Sequence, residues 1–453
     1  MHINFMLKKL SNIKINPENP FENDCLNRKP FADKLEKLIS SLSQPFVLAL
    51  HSPWGTGKTE FIRMWTNELH NKKFPCIYFN AWENDHYEKP LMSFIGNFNS
   101  NLPIVLANFA GQQDTHHELL KTTKSALKKL AVPALKIVTR GALEADEIKE
   151  LLSFSPKAGE GLTEIVSKIA EDQLKEYEKK ASSINGFKEA LQELRDTLDH
   201  YDIKHPFIFF VDELDRCRPT FALELLENIK HFFQSKGFLF ILSIDKNQLS
   251  NIIRTIYGQK LDTDEYLRKF IDLEIILPTP DTKNFCTYLS RTLNLSSAIK
   301  SDTEYVKNNI LYILNKSFSH FKIGLRTQSQ IFTELIAILS LLDESDHRNC
   351  SLLVPFLLCL RAHNKDDFTA LFDKELTEGS INRLIPPPDE QYEAIQYHKT
   401  ITSHIMRHIL TDDDYTSYTE EHKEDAPTYK FLKQISDTRF AAKSFEMINI
   451  ISR

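Results

Sequence analysis

The sequence predicts an α/β fold, a parallel sheet covered on both faces by helices. Five strongly apolar runs read as continuous strands, as burial on both faces requires. Helical patterns separate most of them. The first run ends in a turn holding two of the chain's 12 glycines, Gly55 and Gly57, and a helical pattern follows at once.

The first run opens "FVLALHSPWGTGKTEFIRMW", Phe46–Trp65. Two glycines this close mark a backbone that must curl where other residues would obstruct it. A phosphate-binding loop has that need, because its N–H groups wrap round β- and γ-phosphates. The loop and its flank, Ser52, Pro53, Trp54, Gly55, Thr56, Gly57, Lys58, Thr59 and Glu60, form the candidate nucleotide-binding segment. Lys58 reaches phosphate, and the Thr59 hydroxyl ligates Mg²⁺. The usual pattern has a glycine where this chain has Ser52. Apolar residues at Phe61, Ile62, Trp65 and Leu69 have helical spacing.

"FPCIYFNAW" (Phe74–Trp82) reads as the second strand and "HPFIFFVDELDR" (His205–Arg216) as the third. "GFLFILSID" (Gly237–Asp245) and "DLEIILP" (Asp272–Pro278) complete the set. The third run ends in a burst of charge. A nucleotide hydrolase needs an acid at the end of a strand beside the loop strand to hold Mg²⁺, and a following Glu can polarise the attacking water. Asp212 and Glu213 fit those roles. At the end of the fourth run, Ser243 and Asp245 suit either a γ-phosphate sensor or, for Asp245, the cap of a helix starting near Lys246.

These motifs together resemble the KAP family of P-loop NTPases. "SPWGTGKTEF", "YFNAWE", "FIFFVDELDRCRP", "FLFILSIDKNQL" and "YLRKFIDLEIILP" carry the likeness, over roughly residues 18–340 with the helical insertion excluded. The resemblance implies an ASCE/AAA+-like P-loop core, with ATP and Mg²⁺ as ligands. It places Asn27-Arg28 where related NTPases hold residues near adenine. Arg268 stands where an arginine finger reaches a neighbour's γ-phosphate, and Arg326 where a sensor arginine acts in cis. For both, a surface salt bridge is the competing reading. Cys217 looks like a packing position. Three departures from the family pattern stand out. Gly55 can supply the flexibility lost at Ser52. Glu213 replaces the second Asp of many relatives, which favours hydrolysis. The interval that holds transmembrane helices in many relatives is here "ALKKLAVPALKIVTRGALEA", too rich in Lys and Arg to span a bilayer; it reads as a packed amphipathic helix, with a helix lying on a membrane surface as the competing reading.

Composition fits this frame. Hydrophobic residues make up 42% and charged residues 26%, and the net charge is −6, so no overall basic field invites nucleic acid. Six cysteines without a CxxC pair favour reduced thiols in a cytoplasm. No transmembrane helix or signal peptide is predicted.

Residues 1–100 and 186–280 are expected to form the NTPase core, 101–185 a helical insertion, 281–345 a helical lid and 346–453 a helical C-terminal region. The acidic stretch "TDDDYTSYTEEHKEDAPT" reads as a surface loop. His404 and His408, one helical turn apart, have no third ligand in sight and read as a solvated face rather than a metal site.

The leading functional reading is an ATPase whose turnover drives a conformational change. Its family suggests a setting in defence against phage or plasmids. ATP is the default base because no guanine-reading Asn-Lys-x-Asp stretch occurs. A second copy or a partner protein would dock on the insertion and C-terminal region. The rival is a nucleotide-gated scaffold that binds ATP with little turnover. A small-molecule kinase lacks a recognisable acceptor segment.

Overall fold

The computed structural model describes residues 14–42, 44–87, 89–107, 109, 188–189, 191–232, 236–279, 282–300, 302–387, 392–421, 444, 447 and 448. The chain divides into two compact units near residue 280.

In the first unit, α1 (Lys29–Ser40) precedes β1 (Phe46–His51), and α2 (Lys58–Asn71) follows the glycine turn. Next come β2 (Cys76–Asn80), α3 (Pro90–Ala107), a helical run over 191–200 and β3 (Phe207–Asp212). After a short 3-10 turn (Leu214–Arg216) lie α4 (Pro219–Phe232), β4 (Phe238–Ile244), α5 (Lys246–Tyr257), α6 (Thr263–Leu267) and β5 (Leu273–Ile276). The five strands form one sheet in the order β2-β3-β4-β1-β5, and every pairing is parallel.

Alternate residues of the strands feed two cores. Leu48, Leu50, Ile208, Phe210, Leu239 and Ile241 meet Phe61, Ile62, Trp65 and Leu69 of α2 and Leu35 and Ile39 of α1. Val47, Ala49, Phe79, Phe207, Phe209, Phe240 and Leu242 meet α3, α4 and α5 on the other face. Both faces of the sheet are therefore dry, which is why its central strands read as unbroken apolar runs. β5 is the exception. It is an edge strand with Glu274 and Ile276 exposed.

Two expectations change in this unit. β4 lies between β1 and β3, so the acidic strand end is one strand removed from the loop strand. The insertion does not begin at residue 101. α3 continues to Ala107, and Leu102, Val105 and Leu106 are buried in the sheet's core. The rest of the expected insertion lies outside the described residues except at 109, 188–189 and 191–198.

The second unit is helical: α7 (Thr282–Thr292), α8 (Leu295–Ala298), α9 (Thr303–His320), α10 (Leu325–Leu341), α11 (His347–His363), α12 (Lys365–Phe372), α13 (Glu378–Leu384), α14 (Tyr392–Ile409) and α15 (Asp412–Glu421). Helices on both sides of residue 345 share one apolar cluster, with Leu314, Phe332, Leu335, Phe356 and Leu357 among its members. The acidic stretch expected as a loop is helical over its first part, α15, where Tyr415 faces that cluster. One apolar ring on the inner face anchors a turn whose composition reads as solvent-exposed. No described helix is long and apolar enough to cross a membrane.

Candidate nucleotide site

β1 stops at His51, and α2 starts at Lys58. Gly55 (φ 77°) and Gly57 (φ 82°) both take left-handed backbone, which a Cβ would strain. Ser52, at the position of the missing glycine, is buried. Its N–H bonds the Ile244 carbonyl at 3.2 Å, and its hydroxyl lies 2.5 Å from that of Thr56. The Thr56 hydroxyl also reaches the Pro53 carbonyl at 2.8 Å. The substitution thus leaves the turn intact and closes it by side chain.

The Lys58 ammonium donates to the carbonyls of Ser52 and, at 3.2 Å, Pro53. Burial pushes its pKa down, and the carboxylates of Asp215, Asp245 and Asp212 oppose that shift. Arg28, just before α1, donates to the carbonyls of Thr56 (2.7 Å), Gly57 (3.1 Å) and Pro278 (3.3 Å). The guanidinium thereby braces the loop against the chain that leaves β5. Thr59 is half-buried in the first turn of α2. Glu60 beside it pairs with Arg63 at 3.2 Å, and burial raises its carboxyl.

Asn80, Asp212, Ser243 and Leu50 stand level across four strands. Asp212 is buried and accepts the Tyr78 hydroxyl at 3.1 Å and the Glu213 N–H at 2.9 Å. Burial and the Asp212 charge push the Tyr78 phenol far above its usual range, so it stays a donor. Glu213 has left-handed backbone (φ 60°), a strained conformation for a residue with a side chain. Its two carboxylate oxygens take Asn80 Nδ2 at 3.2 Å and Arg216 at 3.1 Å. Burial raises the Glu213 carboxyl, Arg216 lowers it, and Asp212 raises it again.

Both oxygens of Asp245 are engaged. Oδ1 caps α5 through the N–H groups of Asn247 (3.1 Å) and Gln248 (3.4 Å). Oδ2 accepts the N–H of Trp54 in the loop at 3.1 Å. Asp245 is thus a cap, and it also ties α5 to the loop. The Ser243 hydroxyl is buried and has no hydrogen-bond partner among the described residues. Asp215 is buried and accepts the Trp54 indole N–H; burial raises its carboxyl against that bond and the Lys58 charge.

Arg268 caps the end of α6 and is exposed; its guanidinium makes no hydrogen bond or ion pair among the described residues. Arg326 is exposed in the first turn of α10, in the helical unit. Cys217 packs in the core, with its Sγ 3.6 Å from the Glu213 carbonyl, and burial holds the thiol well above its usual range. His404 and His408 are no solvated face. Both are buried, at 7% and 8% exposure. His408 Nε2 lies 3.3 Å from the Phe372 carbonyl, and burial brings His404 down to about 4. Among the described residues no group of three or more His, Cys, Asp or Glu could hold a metal alone. Mg²⁺ bound with nucleotide needs no such cage, since phosphate and water supply much of its shell.

Sequence reasoning passed over Tyr78, Asn80, Arg216 and Trp82. The run "CIYFN" offered a signal: it ends in a polar residue at the close of a buried strand, as "FIFFVD" does.

A family model described as the KAP family P-loop domain matches residues 28–345. An uncharacterized protein of Methanocaldococcus jannaschii is 31% identical over 193 residues, 38% of this chain and 90% of that protein. The matched family segment includes every strand of the sheet, the glycine turn and the acidic end of β3, and on that ground the chain belongs to the KAP family of P-loop NTPases.

Proposed function

We infer that the chain binds ATP with Mg²⁺ and hydrolyses it, and that turnover drives a conformational change. The observation that carries this reading is the convergence of Lys58, Asp212, Glu213, Ser243 and Asp245 at the C-terminal ends of three adjacent parallel strands, the place where open α/β sheets bind ligands. The residues fit the group. Among the described residues the buried Ser243 hydroxyl lacks a partner, and Lys58 donates only to loop carbonyls. Both would gain by a polyanion.

Lys58 and the loop amides would hold the phosphates. Thr59 and Asp212 would hold the metal, with Tyr78 keeping Asp212 in place. Bound Mg²⁺ would neutralise charge on the phosphoryl oxygens. Glu213 would take a proton from water, and partial burial raises its carboxyl above an exposed one, toward the range a general base requires. Ser243 would sense the terminal phosphate, with Asp245 holding the loop beside it through the Trp54 N–H. Arg28 braces the loop, Arg326 would act in cis and Arg268 in trans. A role in defence against phage or plasmids rests on the family resemblance alone.

Glu213→Gln is the test. The amide keeps the shape and can still accept from one of the two donors, Asn80 or Arg216, but it takes no proton, so ATP affinity should hold while steady-state turnover falls at least about a hundredfold. Wild-type protein that binds ATP but shows no turnover would instead support a nucleotide-gated scaffold.

A further inference from the structure

Asp215 and Arg216, the charged pair closing "DELDR", take no part in the reaction as derived so far. Their surroundings are unusual. The Arg216 guanidinium lies over the Trp54 ring at 5.7 Å and the Trp82 ring at 5.5 Å. The same guanidinium holds Glu213 at 3.1 Å. Both indoles are about half exposed, at 45% and 52%, whereas Trp65 is fully buried. Trp54 belongs to the phosphate loop and is fixed twice more, by its indole N–H on Asp215 and its backbone N–H on Asp245. Trp82 follows β2, next to the strand whose Asn80 holds the other oxygen of Glu213.

We propose that Arg216 is a positioning residue for Glu213. A guanidinium held over two indole rings is confined and partly desolvated, so it presents its planar fork of N–H groups to Glu213 in one direction. Glu213 needs such a hold. It sits on strained backbone at the start of a short turn, and Asn80 is its one other side-chain hydrogen-bond partner among the described residues. Because Trp54 is part of the loop, the stack also joins the phosphate-binding backbone to the catalytic carboxylate. This proposal rests on the reading of Glu213 as the base.

The test compares Arg216→Ala, Arg216→Lys, Glu213→Gln and the Glu213→Gln/Arg216→Ala double variant. Arg216→Ala should lower kcat about ten- to a hundredfold, the loss expected when a reacting group is misplaced, with KM for ATP within about threefold of wild type. Arg216→Lys keeps the charge but not the planar guanidinium, so it should recover part of kcat and also covers the case in which the alanine variant fails to fold. The double variant should be no slower than Glu213→Gln alone, since Arg216 acts through Glu213. In nucleotide-free protein, acrylamide should quench tryptophan emission more strongly in Arg216→Ala than in wild type, because one face of each indole is uncovered. Unchanged kcat, additive losses in the double variant, or unchanged quenching would overturn the proposal. Glu213→Gln turning over at the wild-type rate would overturn the base assignment instead, and the quenching comparison separates that result from failure of the stack.

Discussion

Buried polar side chains are gathered in the sheet unit and dispersed in the helical one. At the strand ends Lys58, Asp212, Asp215, Ser243 and Asp245 are all buried, and Trp54 alone links two of them. In the helical unit Asn309 pairs with Ser351 at 3.1 Å, Gln328 with the Ile323 carbonyl at 2.7 Å, and His408 with the Phe372 carbonyl at 3.3 Å. Each of those contacts pairs its group locally, while Asn309 Oδ1 and Gln328 Oε1 keep no partner among the described residues. The gathered set differs in charge. It crowds three carboxylates round one ammonium, beside a Ser243 hydroxyl that also lacks a partner among the described residues. Concentrated, mutually dependent buried charge is costly unless something uses it, which is why perturbed groups collect at functional sites.

The sharpest way to break this contrast is Lys58→Ala. Removing the ammonium takes away the cation for the phosphates and leaves three carboxylates facing one another. ATP binding should be lost, and all turnover with it. Equilibrium binding of a fluorescent ATP analogue measures this. Affinity near the wild-type value would show that the gathered polarity serves something other than phosphate.

Much of that contrast is legible in the sequence, and the reason is local. Gly55 and Gly57 announce a left-handed turn, and a carboxylate after five apolar residues announces a strand end. What stays hidden depends on pairing between distant segments. Nothing near Asp212 says that β4 will slide between β3 and β1. Nothing near Arg28 says that its guanidinium will meet the carbonyls of Thr56 and Gly57. Tyr78 and Asn80 acquire meaning only once β2 is placed in register with β3. His404 and His408 fail in the opposite direction. Their spacing is visible, but polar neighbours on α14 conceal which face the core takes.

Arg268 tests whether the gathered site is complete within one chain. It is exposed and without an ion pair among the described residues, which leaves its guanidinium available to another molecule. If it completes a neighbour's site, Arg268→Ala should bind ATP normally yet lose about 10³ in rate. Turnover per chain in the wild type should rise with protein concentration. Mixing Arg268→Ala with Lys58→Ala protein should restore activity, because the second variant still donates Arg268 to an intact loop. Concentration-independent turnover, or co-assembly without recovery, would return Arg268 to the surface.

The dispersed polarity has its own signature, in stability rather than turnover. His404 is buried neutral and titrates near 4 in the folded chain, against an ordinary value of 6.5. A folded pKa below the unfolded one means the unfolded chain binds more protons between those values. The stabilising contribution is therefore intact above about 6.5, falls as pH drops through the window, and is gone below about 4. Its full size is about 3 kcal/mol. Denaturation of wild type and His404→Leu across pH 7.5 to 4 should show the wild type losing relative stability by that order as pH falls. A constant gap between the two would mean that His404 titrates as an exposed histidine does.

Residues 110–187 supply the test with the smallest expected effect. None of the proposed ligands falls among them. The chain enters this stretch from α3, whose Leu102, Val105 and Leu106 are buried, and returns through Leu191, Leu194 and Leu198 in the same apolar cluster. A short linker between two points of one core costs little, since loop-closure entropy grows only slowly with length. Replacing 110–187 with a flexible linker should leave ATP affinity within about threefold of wild type, because the loop and strand ends keep every contact described above. A longer deletion that starts at residue 101 should behave differently. It strips three buried apolar side chains from the sheet's core, each worth about 2–5 kcal/mol, and the protein should lose stability before it loses any ligand to phosphate. If the shorter deletion folds to a normal melting temperature yet no longer binds ATP, the gathered polarity at the strand ends is not sufficient to make the site. Some residue within 110–187 would then be part of it.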